Sequence, residues 1–438
     1  MSASATLGGT GSNRIVIVGG GAGGLELATM LGHSLGKSGR ANVTLVDGNL
    51  THIWKPLLHE VAAGVMDAST EELSYAAQAK WNHFRFICGR MAGLDRKRHV
   101  IQLAAWKGEC SGVDTPAVEV GYDALVIAVG SVGNDFGTPG VAEHCIFLDS
   151  VAQAEHLRQN MLERHISQAA QEITTPLRIA VVGGGATGVE LCAELRDANR
   201  KLAQYHQTHK EGLEGLDITL LEAGPRLLPA LPEHISVAIK ANLQKLDITV
   251  KTGTSVKRAE ADGLYDAEGN KVAADVMVWA AGVRAPSFLH EIDGLETNRA
   301  GQLIVHATLQ TTRDSDIFAL GDCAACPLGD GSTRIVPALA QAAHQQATLL
   351  ACNLQRRLEG KPLLNYKFQD KGTLVSLASY NTFGKLFGNW TIEGRLAHFF
   401  YASLYRMHQS ALYGPWRTFR MLLGNIIARN TRPLLKLH

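Results

Sequence analysis

The sequence has few features of a secreted or disulfide-stabilised chain. It contains seven cysteines, an odd number scattered over 438 residues, and this pattern is typical of reduced thiols rather than of a disulfide framework. Its first thirteen residues are mostly small and polar, so no signal peptide is predicted and we expect the folded domains to lie in the cytoplasm. Hydrophobic residues make up 46% of the chain and charged residues 19%, which argues against disorder and predicts two or three domains.

The C-terminal segment, residues 394–438, lacks both acidic residues and long apolar runs. Its longest apolar run falls far below the ~20 residues that a membrane-spanning helix needs. Apolar residues recur instead at helical spacing from Leu396 to Ala411 and again from Trp416 to Ile427, which predicts two amphipathic helices. The segment has seven basic residues: Arg395, Arg406, Arg417, Arg420, Arg429, Arg432 and Lys436.

Two amphipathic helices with this charge are expected to lie on an anionic membrane surface. The basic side chains would meet the headgroups, while the aromatic side chains would lie at the interface. A helical pair buried in a homodimer interface is the alternative, and both interpretations can hold together.

Two glycine-rich turns of the same design are the most informative feature that is present. Each follows a short β-branched strand and opens a helical run, which is the context that a dinucleotide-binding turn needs. The first glycine permits the turn, the second lets the backbone approach a pyrophosphate and the third lets the helix pack on the strand. Two such motifs predict two bound dinucleotides. The motifs are Gly19, Gly21 and Gly24, and Gly183, Gly185 and Gly188.

An acidic residue ends the next strand of each unit, Asp47 in the first and Glu222 in the second. A carboxylate at this position accepts hydrogen bonds from the adenosine ribose and repels a 2′-phosphate, so the second site is expected to prefer NADH, although Arg226 lies nearby. A later apolar strand of each unit ends near a glycine, Gly130 or Gly282, as close approach to a ligand requires. The repeated order predicts an α/β fold with two Rossmann-like domains.

The run that ends in Gly321 and Asp322 is similar to the second flavin fingerprint of flavoproteins with two dinucleotide-binding domains. In those proteins the aspartate binds the ribityl chain of FAD. The resemblance implies FAD at the first glycine motif and a nicotinamide nucleotide at the second. It implies a split FAD-binding domain of residues 1–145 and 300–365, an inserted NADH-binding domain of residues 146–299 and a membrane-associated C-terminal region of residues 366–438.

The run from Val336 to Gln346 is predicted to form a helix after its proline, and it resembles the AQxAxQ signature of type II NADH:quinone oxidoreductases. Gln341 and Gln345 are four positions apart and share one helix face, where their amides can donate to a quinone carbonyl. The resemblance runs nearly end to end and is strongest to proteobacterial members. Further matching stretches are residues 53–61, 183–191, 278–282 and 371–375.

The resemblance implies an enzyme that oxidises NADH through non-covalent FAD and reduces a ubiquinone-type membrane quinone in the respiratory chain by two electrons, without pumping protons. Its expected place is the cytoplasmic face of the bacterial inner membrane, with neither a metal nor a nucleic acid involved. The expected FAD contacts are Gly19, Gly21, Gly24, Asp47, Lys55, Gly130, Asp322, Ala338 and Leu339. The expected NADH contacts are Gly183, Gly185, Gly188, Glu190, Glu222 and Gly282, and the expected catalytic residues are Glu190, Gln341, Gln345 and Lys371.

The roles of three polar residues stay open at this point. In the family, the residue that matches Glu190 lies near the nicotinamide and the flavin, and the one that matches Lys371 lies near the quinone pocket. Each of them either relays protons to the quinone or forms a structural ion pair. His344 is either a proton donor or, as is commoner for a lone histidine on an alanine-rich helix, a packing residue.

Two other functions also stay open. A sulfide:quinone oxidoreductase would use widely separated cysteines at the flavin, although its second glycine motif is typically degraded, and an NADH-responsive flavoprotein would reduce no acceptor. Disulfide reductases of this fold carry a CxxxxC pair after the first glycine motif, and residues 25–36 have no cysteine. Cys323 and Cys326 form one CxxC pair without a second, which favours packing thiols over a redox or zinc centre.

Overall fold

The computed structural model describes residues 6–7, 13–107, 114–171, 173, 175–205, 215–290, 292–386 and 390–428. A π-helical segment (Gly32–Gly36) extends the first helix, and short 3₁₀ turns include Lys55–Leu57, Ser287–Leu289, Ile292–Gly294 and Gly321–Cys323. The α-helices are α1 (Ala22–Leu31), α2 (Leu58–Ala62), α3 (Ala68–Glu71), α4 (Tyr75–Trp81), α5 (Val141–His144), α6 (Val151–Ala170), α7 (Ala186–Tyr205), α8 (Glu233–Lys245), α9 (Ala340–Leu358), α10 (Gly394–Tyr413) and α11 (Pro415–Ala428).

The strands are mostly short. They are β1 (Thr6–Leu7), β2 (Asn13–Val18), β3 (Ala41–Asp47), β4 (Thr51–His52), β5 (Leu73–Ser74), β6 (Arg85–Cys88), β7 (Met91–Asp95), β8 (Val100–Leu103), β9 (Trp106–Lys107), β10 (Asp114–Thr115), β11 (Val118–Gly121), β12 (Ala124–Ile127), β13 (Val132–Gly133), β14 (Ile146–Phe147), β15 (Leu177–Val182), β16 (Leu216–Glu222), β17 (Ile248–Thr252), β18 (Val256–Glu260), β19 (Gly263–Asp266), β20 (Lys271–Ala273), β21 (Val276–Trp279), β22 (Val283–Arg284), β23 (Leu303–Ile304), β24 (Gln310–Thr311), β25 (Asp314–Ala319), β26 (Ala324–Ala325), β27 (Gly372–Leu377), β28 (Asn381–Leu386) and β29 (Trp390–Glu393).

The first dinucleotide unit is a six-stranded sheet with the order β24-β25-β12-β2-β3-β6. All its strands run parallel except β24. The central strands β2 and β12 are buried on both faces, which explains their continuous apolar character. Strand β25, at residues 314–319, pairs with β12, so the chain returns to the first sheet after the second unit is complete.

The second unit repeats this plan in a five-stranded sheet of order β14-β21-β15-β16-β17. All its pairings are parallel. Helix α7 connects β15 to β16, as α1 connects β2 to β3. Both glycine motifs therefore lie between a central strand and its crossover helix, at the carboxyl edge of a sheet where such folds bind ligands. The predicted α/β fold with two Rossmann-like units is confirmed.

The C-terminal part contains a sheet that was not predicted, since the expectation for residues 366–438 named only helices. Strands β27, β28 and β29 form an antiparallel sheet, and Val375, Leu377 and Phe383 are buried in the core of the second unit. The two predicted helices follow as α10 and α11. Within the described residues, no helix is long and apolar enough to cross a membrane.

The helix that carries the two glutamines starts later than predicted. The expectation placed it directly after Pro337, but α9 begins at Ala340 and Leu339 before it is extended, with φ −137° and ψ 140°. The reason is a long-range pairing, because the Val336 N–H donates to the Cys326 carbonyl at 2.9 Å. The chain just before Pro337 is therefore held in a β-bridge to residues 326 and 327.

Candidate functional site

The first glycine turn combines tight backbone packing with open space. Gly19 has φ +101°, and a Cβ on it would lie 2.4 Å from the Ala128 carbonyl oxygen. A Cβ on Gly24 would lie 1.9 Å from the Gly19 carbonyl oxygen. Nothing lies within 4 Å of the position of a Cβ on Gly21, the residue that caps α1. The first and third glycines are thus required by packing, while the second borders free space at a helix N-terminus, where a pyrophosphate binds.

The second turn has the same geometry. Gly183 has φ +117°, and its Cβ would lie 2.6 Å from the Ala280 carbonyl oxygen. A Cβ on Gly188 would lie 2.0 Å from the Gly183 carbonyl oxygen, while Gly185 again borders open space. The two predicted turns therefore match position by position.

The two strand-end carboxylates are held in equivalent ways. Asp47 Oδ2 accepts a hydrogen bond from the Gly20 N–H at 2.7 Å. Glu222 Oε2 accepts one from the Gly184 N–H at 2.6 Å, and its Oε1 accepts one from the Gly224 N–H at 2.6 Å. These backbone donors fix each carboxylate beside its glycine turn, with lone pairs left for ribose hydroxyls.

The strands that follow end in a pair of equivalent glycines. Gly130 comes after β12 with φ +69°, and Gly282 comes after β21 with φ +68°. A Cβ on Gly130 would meet open space, whereas one on Gly282 would lie 2.6 Å from Phe136. Each carboxyl edge is thus completed by a left-handed turn that favours glycine.

Several predicted flavin residues come together around Asp322. Lys55 Nζ donates to the Ser131 carbonyl oxygen at 3.1 Å. The Ser131 hydroxyl donates to Asp322 Oδ2 at 2.7 Å, and Gln302 Nε2 donates to the Asp322 carbonyl oxygen at 2.9 Å. Ser131 and Gln302 were not predicted. Ser131 could have been predicted, because it directly follows Gly130 at the end of the same strand. Gln302 could not, because no motif near it in the sequence indicates a contact with Asp322.

Helix α9 packs against this cluster. Gln346, which is 1% exposed, accepts a hydrogen bond from the Gly321 N–H on Oε1 at 2.7 Å. Ala338 and Leu339 directly precede α9, and Ala343 in its first turn lies beside Gly321. Gln346 was missed because a glutamine inside a helix resembles any other polar position until the partner turn is placed beside it.

The two predicted quinone-contacting glutamines bind backbone in this structure. Gln341 Nε2 donates to the Gly372 carbonyl oxygen at 3.0 Å, and its Oε1 accepts from the Lys371 N–H at 3.0 Å. Gln345 Nε2 donates to the Gln369 carbonyl oxygen at 2.8 Å, and its Oε1 accepts from the Gln369 N–H at 3.1 Å. Both amides therefore hold a later segment, the one that carries the exposed Lys371, against α9. Direct contact with a quinone stays a prediction.

Glu190 lies buried on α7. Its Oε1 accepts a hydrogen bond from the Ser376 N–H at 3.0 Å, and Tyr401 of α10 lies close enough to its carboxyl group to act on its pKa. Burial raises the pKa of Glu190 to about 8, and the nearby Glu60 carboxylate acts in the same direction. A carboxyl group with such a pKa holds a proton at neutral pH, as a proton donor must.

Further buried groups that the sequence did not point to surround Glu190. Burial raises the pKa of Glu60 to about 7 and that of Glu194 to about 8. Burial also lowers the pKa of His59 to about 4, so its imidazole is neutral. His59 Nδ1 lies 3.9 Å from Glu190 Oε2.

His344 belongs to a second buried network. Its Nδ1 contacts Glu26 Oε2, while Glu26 Oε1 lies 2.8 Å from His408 Nδ1. His408 Nε2 lies 3.0 Å from His52 Nε2. Burial acts to raise the pKa of Glu26, but the hydrogen bonds with His344 and His408 outweigh it and leave the pKa below its usual value. His344 is thus one half of an ion pair, and a hydrogen bond to Glu26 raises its pKa.

The CxxC pair has no reactive character. Cys323 and Cys326 are buried and free, and burial raises the pKa of each thiol to about 12. Thiolates are the reactive form of cysteine, so both residues pack as neutral side chains. Cys110 lies outside the described residues.

Helix α10 presents its polar side to the protein and its apolar side outward. Tyr401 lies near Glu190, the Tyr405 hydroxyl donates to Glu71 Oε2 at 2.9 Å, and His408 binds Glu26. Most of the predicted apolar stripe is exposed, while Phe400 is partly buried. The exposed residues are Leu396, Phe399, Leu404 and Met407 on α10, and Trp416, Phe419, Leu423 and Ile427 on α11. Arg429, Arg432 and Lys436 lie outside the described residues.

Comparison with known sequences identifies the family. A family model described as Pyridine nucleotide-disulphide oxidoreductase matches residues 13–347. The type II NADH:quinone oxidoreductase of Haemophilus influenzae is 45% identical over 444 residues, which cover 97% of this chain and 99% of the relative. The type II NADH:quinone oxidoreductase of Staphylococcus aureus is 28% identical over 88% of this chain and 92% of its own length.

Solved structures share the fold. NDH2 from Plasmodium falciparum, in complex with NADH, matches with a TM-score of 0.81 at 20% identity and covers 97% of this chain and 100% of its own. The sulfide:quinone oxidoreductase of Aquifex aeolicus matches with a TM-score of 0.70 at 18% identity and covers 92% of each chain. At these identities the matches bear on the fold alone, and the sequence relatives decide between families. The family predicted from the sequence is confirmed, and the chain belongs to the type II NADH:quinone oxidoreductases.

Proposed function

We propose that this protein oxidises NADH through bound FAD and reduces a membrane quinone by two electrons, without pumping protons. The observation that carries the proposal is the pair of glycine turns with matching geometry, each bordered by open space at its second glycine. Two dinucleotides that meet in one chain support hydride transfer between them. Membership of the family supplies the quinone as the acceptor.

The first turn fits FAD and the second fits NADH. At the first, Gly21 borders the free space, Asp47 ends the next strand and Asp322 lies within reach of Ser131. Bound FAD would accept the hydride of NADH and pass its two electrons to the quinone. At the second, Gly185 and Glu222 offer the corresponding contacts to NADH.

We place the quinone beside α9 and the segment that Gln341 and Gln345 anchor. The support is that both amides hold the backbone next to Lys371 in one position. Lys371 and Glu190 would then supply protons to the reduced quinone. Loss of the anchor in Gln341→Ala is expected to slow reoxidation of the flavin by quinone and to leave its reduction by NADH unchanged, as anaerobic absorbance traces would report.

The proposed activity is tested by steady-state turnover of the purified protein. NADH oxidation should need an added short-chain quinone, and sulfide in place of NADH should leave the flavin oxidised. Bleaching by sulfide but not by NADH would instead indicate a sulfide:quinone oxidoreductase. Bleaching by NADH without turnover of quinone would indicate a flavoprotein that only senses NADH.

We further propose that α10 and α11 rest on the cytoplasmic face of the bacterial inner membrane. A quinone dissolves in lipid, so its site must reach the bilayer. In water a helix normally buries its apolar face, whereas α10 buries the polar His408 and Gln409 beside Ala397 and Leu412 and exposes Phe399 and Met407. This arrangement suits an apolar partner surface with basic residues beside it. A second copy of the chain is the alternative occupant of the face.

A further inference from the structure

The proposed reaction needs one proton from solution in each turnover. NADH gives a hydride, and the quinone takes up two electrons and two protons, so the balanced reaction is NADH + H⁺ + quinone → NAD⁺ + quinol. If Glu190 gives a proton to the quinone, as proposed above, it must be reprotonated before the next turnover. The Glu190 side chain is 8% exposed, so its replacement proton has to pass through the protein.

Buried acidic groups lie where such a proton would pass. One ring nitrogen of His59 and one carboxylate oxygen from each of Glu60 and Glu194 lie within 4.8 Å of one another. His59 Nδ1 lies 3.9 Å from Glu190 Oε2. Steps of this length are bridged by a single water molecule.

His59 gives an independent indication that a water belongs there. Its side chain is 2% exposed, and its Nε2 has no hydrogen-bond partner among the described residues. A buried polar atom without a partner is costly, and in native proteins an ordered water commonly satisfies it. The two ring nitrogens thus offer two places for a water: the unpartnered Nε2, and Nδ1, which lies 3.9 Å from Glu190 Oε2.

The cluster also reaches solvent. Glu60 is half-buried on α2. On α7, Glu190, Glu194, Asp197 and Lys201 follow one helix face, and Lys201 Nζ lies 2.6 Å from Asp197 Oδ2 with the lysine side chain 27% exposed. The acidic line therefore runs from a buried donor to the surface.

We propose that Glu60 and Glu194 form the proton supply of Glu190, with Glu60 as its immediate donor. This inference rests on the proposed function. After Glu190 gives its proton to the quinone, the Glu60 carboxyl proton moves through water to the Glu190 carboxylate, and Glu60 regains a proton from Glu194 or from solvent. The electrons come from NADH through the flavin. Glu60 and Glu194 act through Glu190 and do not touch the quinone.

Other charged and titratable groups lie on the helices packed around the cluster, and a pH profile must take them into account. They are Glu71 on α3, Arg158 on α6, Arg196, Asp197, Arg200 and Lys201 on α7, and Tyr401 and Tyr405 on α10. The pKa of Tyr401 and that of Tyr405 are raised by burial, so both stay neutral. Between pH 6 and 9 the profile then reports the glutamates together with His344, whose pKa the hydrogen bond to Glu26 raises; the change caused by Glu60→Gln isolates the contribution of Glu60.

The test compares Glu60→Gln with the exposed Glu268→Gln in the full-length, flavin-loaded protein. Flavin reduced anaerobically with NADH is mixed with a short-chain quinone in H₂O and in D₂O at several pH values. For Glu60→Gln we expect about tenfold slower reoxidation by quinone at every pH, a larger solvent isotope effect and a loss of activity that starts at lower pH. Reduction by NADH should match the wild type, and Glu60→Asp should recover part of the rate.

Three outcomes separate the explanations. In the first, Glu60→Gln loses activity at lower pH than the wild type, but its rate at low pH and its isotope effect are unchanged. This would overturn the relay, because Glu60 would then act on Glu190 only through its charge. A variant that matches Glu268→Gln in all respects would overturn it as well. A wild-type protein whose reduced flavin is not reoxidised by quinone would refute the proposed function itself. If Glu60→Gln fails to retain flavin, Glu194→Gln answers the same question with a smaller expected effect in the same direction.

Discussion

At the scale of single residues, each of the two carboxylates at the strand ends has two proposed roles: it binds a ribose and it disfavours a 2′-phosphate. Glu222 is bound by two backbone N–H groups, and Asp47 is bound by Gly20 in the same way. Because the protein holds these carboxylates in place, a ribose that binds them loses little in ordering them. The same negative charge repels a 2′-phosphate, so at the second turn Glu222 is expected to favour NADH over NADPH.

We expect Glu222→Gln to weaken the preference for NADH over NADPH. The substitution removes the charge and the charge-assisted hydrogen bonds to the ribose, which are each worth about 1.5–3 kcal/mol, so kcat/KM for NADH should fall at least tenfold. Initial rates with both nucleotides measure the change. Asp47→Asn is the matched control at the first turn, where it should loosen FAD and leave the NADH to NADPH ratio unaltered. An unchanged ratio in Glu222→Gln would contradict the assigned role.

The His344–Glu26 pair predicts a pH-dependent contribution to stability. The raised pKa of His344 means that its contribution is complete below the ordinary histidine pKa and is lost as pH rises through the raised value. The lowered pKa of Glu26 means that its contribution is lost only as pH falls through that lower value. Thermal unfolding of wild type and His344→Gln should therefore differ most at mildly acidic pH and converge at alkaline pH. A constant difference in Tm across this range would show that the ion pair contributes nothing.

At the scale of secondary structure elements, α10 is the unusual helix. Its buried face contacts Glu26 of α1, Glu71 of α3 and Glu190 of α7. Its outer face is apolar, and Phe399 and Met407 are 68% and 59% exposed. A helix fixed so firmly on its polar side has its apolar side free for a membrane, without any rearrangement of the fold.

The membrane role of this face predicts a specific loss. The double variant Phe399→Asp and Met407→Asp should bind anionic lipid vesicles at least about 100-fold more weakly, since each side chain loses ~1.5–3 kcal/mol of apolar burial. Flotation of purified protein with vesicles measures it. Ile166→Asp, an exposed apolar position on α6, is the control. Unchanged flotation together with a shift from dimer to monomer in sedimentation would assign the face to a second copy instead.

Local spacing was enough to predict the elements that bind nucleotides. Each of these features lies within a few residues of a strand: the two glycine turns, Asp47, Glu222 and the fingerprint at Asp322. The apolar stripes of α10 and α11 are likewise evident from their helical spacing. What could not be predicted depends on contacts between distant parts of the chain. Glu26 and His408 are 382 positions apart, and Gln346 only acquires its role when Gly321 is packed beside it.

The same limit applies to Gln341 and Gln345. Their spacing placed them on one helix face, but nothing in the sequence pairs their amides with the backbone of residues 369–372. Strands β27 to β29 were likewise unpredicted, because Val375 and Leu377 are buried by the second unit rather than by a local partner. The hydrogen bonds of the two glutamines and the C-terminal sheet thus depend on long-range packing, which local sequence patterns do not predict.

At the scale of the whole molecule, the two half-reactions are separated in space and joined through the flavin. NADH is proposed to bind at the second turn, whereas the quinone is proposed to meet α9 and the Lys371 segment. Helix α10 contacts both units, through Glu26 in the first and Glu190 in the second. The proposed membrane surface therefore contacts both dinucleotide units and the proposed proton supply directly.

The most direct test of this account is an anaerobic double-mixing experiment on the wild-type protein. NADH is mixed with the enzyme first and a short-chain quinone second, while flavin absorbance is followed. The account predicts that NADH bleaches the flavin rapidly, that NADPH does so much more slowly, and that quinone restores the full absorbance within the time of steady-state turnover. Flavin that stays reduced after quinone is added, or that NADH does not bleach, would contradict it.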